Sequence, residues 1–253
     1  MSNSPLVSYT KLSPNHSGQR THAVDRITPH CVVGQCSVET LGNIFAPTSR
    51  QASCQYGIGV DGRVGMYVEE KNRSWCSSSN ANDQRAVTIE CASDATHPYA
   101  FNDVVYAKLI ELCADICKRY GKTKLLWLGD KTKTLNYEPA SNEMVLTVHR
   151  WFANKSCPGD WMYARMGDLA SKVTAKLGGS TGGNDKPVDN QVLYRVQTGA
   201  FANKANADAM LQKVKAAGFD TYMVKVDNLY KIQVGAFSKK ANADAMAARL
   251  KAA

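Results

Sequence analysis

The chain has 253 residues, 44% of them hydrophobic, and its 31 Lys and Arg against 22 Asp and Glu give a net charge of +9. That length suffices for one full-sized domain and a smaller one, and the absence of any run of eighteen apolar residues argues against a membrane span. The positive charge favours a polyanionic partner, such as nucleic acid, an anionic membrane surface or an acidic cell wall.

The N-terminal segment, MSNSPLVSYTKLSPNHSGQR, lacks the basic tip and apolar core of a secretory signal. We therefore expect the protein to be made and kept in a cytoplasm, unless something other than a signal sequence releases it. The number of cysteines is even, so a disulfide framework is one possibility. Free thiols are favoured, because a cytoplasm is reducing and a domain of this size does not need disulfides for stability. The eight cysteines are Cys31, Cys36, Cys54, Cys76, Cys91, Cys113, Cys117 and Cys157.

Three segments of the first 121 residues predict strands, a hairpin and a helix. RITPHCVVGQ is a β-type run, from which His30 would project at the end of a strand. In QYGIGVDGRVGMYVEE an Asp-Gly pair lies between alternating apolar runs, which is the pattern of a hairpin turn. FNDVVYAKLIELCADICKRYG is amphipathic with a helical period, so Cys113 and Cys117, at positions i and i+4, are expected in the core.

The stretch HRWFANKSCPGD, residues 149–160, contains two potential metal ligands. His149 and Cys157 are eight residues apart, too far for one helical face, but a loop could bring both to one centre. His30 is the best third ligand by context, because the other histidines lie in polar stretches. Two histidines and a thiolate would satisfy a catalytic zinc, which takes three protein ligands and keeps one position open. From the residues alone, an ordinary domain end that happens to contain a cysteine remains an alternative.

The segment KLGGSTGGNDKPVDNQ, residues 176–191, has the composition of a flexible connector. We therefore predict a first domain at residues 1–175 and a second at 192–253. The second contains a repeat, since YRVQTGAFANKANADAM from Tyr194 recurs as YKIQVGAFSKKANADAM from Tyr230. The pattern predicts the order strand, helix, strand, strand, helix, and two copies favour one α+β domain with an antiparallel sheet and two helices on one face.

The motifs VQTGAF and IQVGAF each stand directly before an Asn-Ala-rich helix, and on them the tail resembles the SPOR family of small peptidoglycan-binding repeats. The resemblance implies binding to glycan strands stripped of peptide, on the exposed face of the sheet. Gln197 and Gln233, polar within apolar strands, suggest a row facing this ligand, whereas Phe201 and Phe237 could equally pack in the core. Ten Lys and Arg against four Asp and Glu in residues 191–253 suit an acidic polymer, and would also suit RNA.

RITPHCVVG, QYGIGVDGRVGMYVEE, AVTIECAS and HRWFANKSCPG occur in an order and spacing similar to those of the amidase-2 class of zinc amidases. That class includes phage lysozyme-like amidases, bacterial amidases and peptidoglycan-recognition proteins, and the resemblance runs from about Ile27 to Trp161. It implies an α/β domain with a mixed central sheet and flanking helices. Its zinc ligands match His30, His149 and Cys157.

The resemblance also implies two catalytic residues. Glu90 ends the strand-like run RAVTIE and matches the glutamate of one branch of the family, where it could accept a proton from the attacking water, although a solvated strand-end carboxylate is its plain alternative. Lys155 matches a lysine that could stabilise the oxyanion of the attacked carbonyl, and is otherwise an ordinary exposed lysine.

This sequence departs from the family pattern in two places. Cys54 stands where phage lysozyme-like members have a catalytic tyrosine, which puts any role of nearby Tyr56 in doubt and shifts weight to Glu90. Trp75-Cys76 replaces a common Trp-His pair, so a histidine contact to substrate is expected to be lost. Trp75 is predicted to line the substrate groove, with an aromatic packing role as its alternative.

Together these patterns predict a zinc-dependent N-acetylmuramoyl-L-alanine amidase that binds bacterial peptidoglycan, as a monomer with no nucleic-acid partner. A catalytic domain with a wall-binding tail and no export signal suits a phage endolysin, made in the host cytoplasm and released through a holin. A bacterial autolysin of the same activity is the second interpretation. A non-catalytic peptidoglycan-binding protein and a nucleic-acid-binding protein are the alternatives from other classes.

Overall fold

The computed structural model describes residues 3–178, 194–219, 221–226, 228–237 and 240–251. The chain divides into two compact units, Met1–Gly183 and Asn184–Ala253. Of the predicted connector at 176–191, residues 179–191 lie outside the described residues, so the proposed domain boundaries stay predictions.

The first unit is built around a seven-stranded sheet, with a separate two-stranded ribbon of β2 and β6. Its strands are β1 (Val7–Thr10), β2 (His16–Gln19), β3 (Arg26–Cys31), β4 (Tyr56–Ile58), β5 (Val64–Met66), β6 (Asn72–Ser74), β7 (Ala86–Cys91), β8 (Lys124–Leu126) and β9 (Glu143–Leu146). Its helices are α1 (Val38–Phe45), α2 (Asn80–Arg85), α3 (Asp103–Arg119), α4 (Lys131–Leu135), α5 (Asp160–Tyr163) and α6 (Met166–Lys176), with 3₁₀ turns at Thr48–Arg50 and His149–Trp151.

The large sheet has the order β1-β5-β4-β7-β3-β9-β8. Its strands pair in parallel except for β4 and β5, which are antiparallel. The predicted mixed α/β architecture is thereby confirmed. The central strands β3 and β7 are almost completely buried, as expected for parallel strands covered on both faces.

The antiparallel pair β4–β5 is the hairpin that the Asp-Gly motif predicts. Gly62 has φ +80°, a left-handed conformation that glycine adopts without steric cost. The Asp61 carboxylate accepts a hydrogen bond from the Arg63 backbone N–H at 3.1 Å, which closes the turn. The local turn chemistry therefore sets the register of β4 on β5.

Helix α3 carries its apolar residues on one face, and that face enters the main core. Asn102 caps its N-terminus by accepting a hydrogen bond from the Val105 N–H at 2.8 Å. Cys113 and Cys117 are both fully buried, as predicted. All eight cysteines lie within the described residues, and each is a free thiol.

The second unit contains a three-stranded antiparallel sheet of order β10-β12-β11. Its elements follow the predicted order and are β10 (Tyr194–Phe201), α7 (Lys204–Ala216), β11 (Tyr222–Val226), β12 (Leu229–Phe237) and α8 (Lys240–Lys251). Val196, Ile232 and Val234 are buried in the strands, and Ala207 and Ala243 are buried in the helices. These small and β-branched side chains let both helices pack closely on the sheet, which confirms the α+β prediction for the tail.

In the part of the chain that the structure describes, no helix has both the length and the apolar character needed to cross a membrane.

Candidate active site

Three side chains from distant parts of the sequence converge at one end of the central strands. His30 lies near the end of β3 and is only 1% exposed, His149 begins the 3₁₀ turn after β9, and Cys157 lies in the following loop. One donor atom from each lies within 4.8 Å of the donors of the other two. Cys157 Sγ is 3.2 Å from His30 Nδ1 and also accepts a hydrogen bond from the Cys31 N–H at 3.4 Å.

This donor set fits zinc. Imidazole nitrogen and thiolate sulfur are its usual protein ligands, and three of them leave a fourth position for water or substrate. Burial, together with the charge of His149, lowers the pKa of His30 well below its ordinary value. Burial and the nearby Lys155 lower the pKa of His149. Both rings are therefore neutral at pH 7, which is the form that binds a metal. Burial raises the pKa of the Cys157 thiol, and a bound cation would favour its thiolate.

The loop that carries Cys157 is tied back to the 3₁₀ turn that begins with His149. The Arg150 N–H donates to the Cys157 carbonyl at 3.1 Å, and the Arg150 guanidinium binds the Ser156 carbonyl at 2.5 Å and Asp160 at 2.9 Å. Gly159 turns the chain with φ +84°, and a Cβ at that position would lie 2.9 Å from the Pro98 carbonyl oxygen. This bonding holds the two predicted ligands of the HRWFANKSCPGD segment on the same side of the site.

Glu90 lies beside the three candidate ligands. It is the register partner of His30 in the parallel pair β3–β7, and its Oε1 lies 3.9 Å from His30 Nδ1. The side chain is 16% exposed, and burial raises its pKa to about 7, against the lowering effect of Arg50. Its Oε2 has no hydrogen-bond partner among the described residues. A carboxyl group that titrates near neutral pH can both accept and release a proton during a reaction.

An open cleft of about 520 Å³ leads to this group. Lys155 lines it with an exposed side chain, while Trp75 is partly buried and donates its indole N–H to Ser17 Oγ at 2.7 Å. The cleft is lined by Phe45, Arg50, Gln51, Ala52, Ser53, Arg73, Trp75, Cys76, Ser78, Ser79, Asn80, Asp83, Glu90, His149 and Lys155.

Four of the lining residues that were not candidates from the sequence bear on the chemistry of the site. Arg50 and Arg73 bring positive charge to the cleft, and Ser78 contacts His149. Cys76 has its thiol within 4.8 Å of donor atoms of His30 and Glu90, so the position of the missing family histidine still faces the site. Arg50, Cys76 and Ser78 lie in loops or at an element end and Arg73 lies in the three-residue strand β6, where neither periodicity nor motif indicates which side chains face a cleft.

Tyr56 lies away from the candidate ligands. It is fully buried, its hydroxyl donates to the Glu70 carboxylate, and the same oxygen accepts the Ser4 N–H at 2.8 Å. Glu70 in turn binds the guanidinium of Arg119 at 2.6 and 2.9 Å. The tyrosine thus belongs to a buried ion-pair network that ties the N-terminal segment to β4 and α3.

The predicted glycan-contact residues of the tail differ in their surroundings. Gln197 and Gln233 are register partners in β10 and β12. Gln197 is exposed, whereas Gln233 is 8% exposed and accepts a hydrogen bond from the Tyr222 hydroxyl at 2.9 Å. Phe201 is half-buried, and its ring covers Gly199, where a Cβ would approach it to 2.7 Å. The side chain of Phe237 lies outside the described residues.

Two protein families match this chain, one in each of its two parts. The sequence profile of the N-acetylmuramoyl-L-alanine amidase family known as Amidase_2 matches residues 19–160, more than half of the chain. The chain belongs to this amidase family. A SPOR domain profile matches residues 190–253, so this member of the amidase family joins an amidase domain to a peptidoglycan-binding type of domain.

Solved structures similar to this amidase-family chain include bacterial wall-lytic enzymes and endolysins. The peptidoglycan-binding domain of the Bacillus subtilis cell wall lytic enzyme CwlC is 54% identical over 22% of this chain and 72% of that domain, with a TM-score of 0.21. PlyL is 13% identical over 65% of this chain and 95% of its own, with a TM-score of 0.47. The endolysin amidase LysCS from Clostridium intestinale URNW is 15% identical over 69% of this chain and 98% of its own, with a TM-score of 0.42. A search of curated proteins returned no significant match.

Proposed function

We propose that this member of the amidase family is a zinc-dependent N-acetylmuramoyl-L-alanine amidase. It would hydrolyse the amide bond between the lactyl group of muramic acid and the first alanine of the stem peptide. The observation that carries the proposal is the convergence of His30, His149 and Cys157, with Glu90 beside them, at an open cleft.

His30, His149 and Cys157 would hold the zinc ion. When bound, zinc polarises the amide carbonyl and lowers the pKa of a water molecule, which makes water a nucleophile at neutral pH. The protein's contribution is a buried set of neutral imidazoles and a thiol, held in place by β3 and by the loop that Arg150 ties to the 3₁₀ turn.

Glu90 is the proposed general base and then acid. Its carboxylate accepts the proton of the attacking water and afterwards delivers a proton to the leaving alanine nitrogen. A pKa of about 7 makes both protonation states accessible at neutral pH, which is the condition for a group that performs both transfers.

Lys155 is the proposed oxyanion stabiliser. Its exposed ammonium lines the same cleft as Glu90 and His149, and its charge is close enough to His149 to lower the pKa of that ring. A fixed positive charge near the carbonyl oxygen favours the negative charge that develops there in the transition state. Trp75, at the rim of the same cleft, would line the groove for the sugar or the peptide.

The SPOR domain would keep the enzyme on its substrate. We propose residues 1–175 as the catalytic domain, 176–191 as the connector and 192–253 as the wall-binding domain. Gln197, Phe201, Gln233 and Phe237 are the proposed glycan contacts. A tethered catalytic domain meets peptidoglycan at a higher effective concentration without any added contact in the active site.

The reaction is tested on purified peptidoglycan. The expected product is new amino-terminal alanine without new reducing sugar ends, and a chelator should abolish its release until zinc is added back. New reducing ends would make the protein a glycosidase. Retention on peptidoglycan without any release would instead support the non-catalytic binding alternative.

The proposed biological role is that of a phage endolysin that reaches the wall after holin-type release. The pairing of an amidase with a wall-binding domain supports this role, and it would equally suit a bacterial autolysin. The two are separated by producing the full chain in a bacterium with and without a holin. Lysis that requires the holin supports the endolysin, whereas wall cleavage without it supports the autolysin.

A further inference from the structure

We propose that Ser78 is a positioning residue that directs Nδ1 of His149 toward the metal. The inference rests on the proposed zinc centre and adds to it a residue outside the ligand set. Ser78 Oγ lies 2.9 Å from His149 Nε2. Among the described residues, Nε2 is the only nitrogen of His149 with a hydrogen-bond partner, so Nδ1 is left for the metal.

The chemistry of metal-bound histidine explains why this contact matters. An imidazole that binds a metal through one nitrogen carries a proton on the other, and a hydrogen-bond acceptor at that proton fixes both the tautomer and the orientation of the ring. Ser78 would accept the Nε2–H. His149 needs such a partner because its ring is only partly buried and the residue begins a short 3₁₀ turn.

Ser78 is held in an unusual backbone conformation. Its φ is +60°, in the left-handed region that residues other than glycine seldom occupy without some conformational cost. The loop before it is anchored by Asp83, which is 3% exposed. The Asp83 carboxylate accepts hydrogen bonds from the N–H groups of Cys76 and Ser77, each at 3.1 Å, and from the Ser77 hydroxyl at 2.6 Å. These bonds fix the loop before Ser78 and offset the energetic cost of the left-handed backbone conformation at Ser78.

Asn82, next to Asp83 in α2, reaches strand β3, which carries His30, and the segment after β9 that leads to His149. Asn82 donates to Thr28 Oγ1 and to Ser77 Oγ, both at 3.1 Å, and accepts from Thr147 Oγ1 at 3.0 Å. The two threonine hydroxyls lie 2.7 Å apart. Thr28 precedes His30 by two residues, and Thr147 precedes His149 by two residues.

All four side chains of this buried cluster, Thr28, Ser77, Asn82 and Thr147, are 0% exposed. The side chain of Ser78 is exposed, but these buried hydrogen bonds hold the backbone of its loop at a set distance from His149. This distinguishes the Ser78–His149 contact from an incidental surface hydrogen bond.

The first experiment identifies the metal-binding nitrogen in the full chain labelled with ¹⁵N-histidine, stripped of metal and reloaded with ¹¹³Cd. We expect coupling of cadmium to Nδ1 of His149, assigned by the loss of that signal in His149→Gln. Coupling to Nε2 would overturn the inference while leaving the zinc centre intact. Failure of the wild-type chain to bind zinc or cadmium would instead remove the proposed function.

The second experiment separates positioning from folding with Ser78→Gly. Glycine accepts a positive φ freely, so this variant removes the hydroxyl and also relieves the backbone cost. We expect an unchanged or higher Tm, together with a zinc affinity about 10–100-fold lower in competition with a chelator, the usual effect of losing an outer-shell partner. Cadmium coupling should then spread over both nitrogens of His149.

The matched control is Ser141→Ala, an exposed serine of the same unit whose hydroxyl makes no hydrogen bond among the described residues. It should bind zinc like the wild type. Wild-type zinc affinity in Ser78→Gly, with coupling still confined to one nitrogen, would show that the ring is oriented without Ser78.

Discussion

Glu90 lies directly opposite His30 in the parallel pair of β3 and β7, and its Oε1 is 3.9 Å from His30 Nδ1. Register partners on adjacent strands point to the same face of a sheet, and here the ladder of two buried central strands fixes their separation. The proposed base is therefore placed against a proposed ligand by backbone hydrogen bonds. If His30 binds zinc as proposed, we expect Glu90 to reach a water molecule on that ion without a conformational change.

Glu90→Gln tests the proposed base. The amide has nearly the same shape but cannot accept the proton, so we expect kcat to fall about 10²–10⁴-fold, the usual contribution of a general base. Bound zinc should stay at about one ion per chain, because glutamine leaves the three proposed ligands in place. Metal analysis and alanine release from peptidoglycan measure the two effects.

The control for this change is Glu138→Gln, since the Glu138 side chain is 85% exposed. It should retain both zinc and activity. Wild-type turnover in Glu90→Gln would remove Glu90 from the mechanism.

Cys157→Ser tests the ligand set. A neutral hydroxyl binds zinc far less well than a thiolate does, so both zinc content and activity should drop together. Cys36→Ser is the matched control, because Cys36 is a partly exposed thiol of the same unit outside the proposed ligands. If Cys157→Ser kept a full zinc content after dialysis against a weak chelator, the ligand assignment would be wrong.

Lys155→Ala tests oxyanion stabilisation. Loss of one stabilising group of this kind lowers kcat by about 10²–10³-fold, and we expect a similar decrease here with zinc content unchanged. The reference variant is Lys172→Ala, an exposed lysine that pairs with Asp168 on α6. Equal activity in the two variants would show that Lys155 is an ordinary surface lysine with no role in oxyanion stabilisation.

Tyr56→Phe separates a structural tyrosine from a catalytic one. The change deprives buried Glu70 of a donor and the Ser4 N–H of its acceptor, which should lower the free energy of unfolding by about 1–3 kcal/mol. Turnover per folded molecule should not change. A large decrease in kcat without any loss of stability would contradict this assignment, and chemical denaturation beside steady-state kinetics distinguishes the two results.

Gln197→Ala in the full chain tests the glycan-binding face of the tail. Because Gln197 is exposed on β10, its loss should weaken co-sedimentation with peptide-free glycan severalfold while hydrolysis of a small soluble substrate stays constant. Gln212→Ala, exposed on α7, is the control for an unrelated surface change. Salt-sensitive retention of DNA or RNA without any retention of glycan would favour the nucleic-acid alternative instead.

The elements that the sequence predicted correctly are those defined by nearby residues. Asp61 and Gly62 encode the β4–β5 hairpin through turn chemistry, and the apolar period of α3 buries Cys113 and Cys117. The strand-then-helix order within each half of the tail follows from its repeat, since each copy contains a complete strand-turn-helix pattern. Such signals span a few residues to a few helical turns, so they can be recognised in the sequence without knowing the tertiary structure.

The arrangement of the site depends on contacts between segments far apart in the chain. Motifs named His30, Glu90, His149 and Cys157 as candidates, but only the pairing of β3 with β7 and β9 brings their side chains together. No local pattern indicated Ser78, because its contact with His149 depends on a loop anchored by buried polar residues of α2, of β3 and of the segment that follows β9. Such anchoring is a property of hydrogen bonds made across the sheet, and these exist only once the long-range strand pairs have formed.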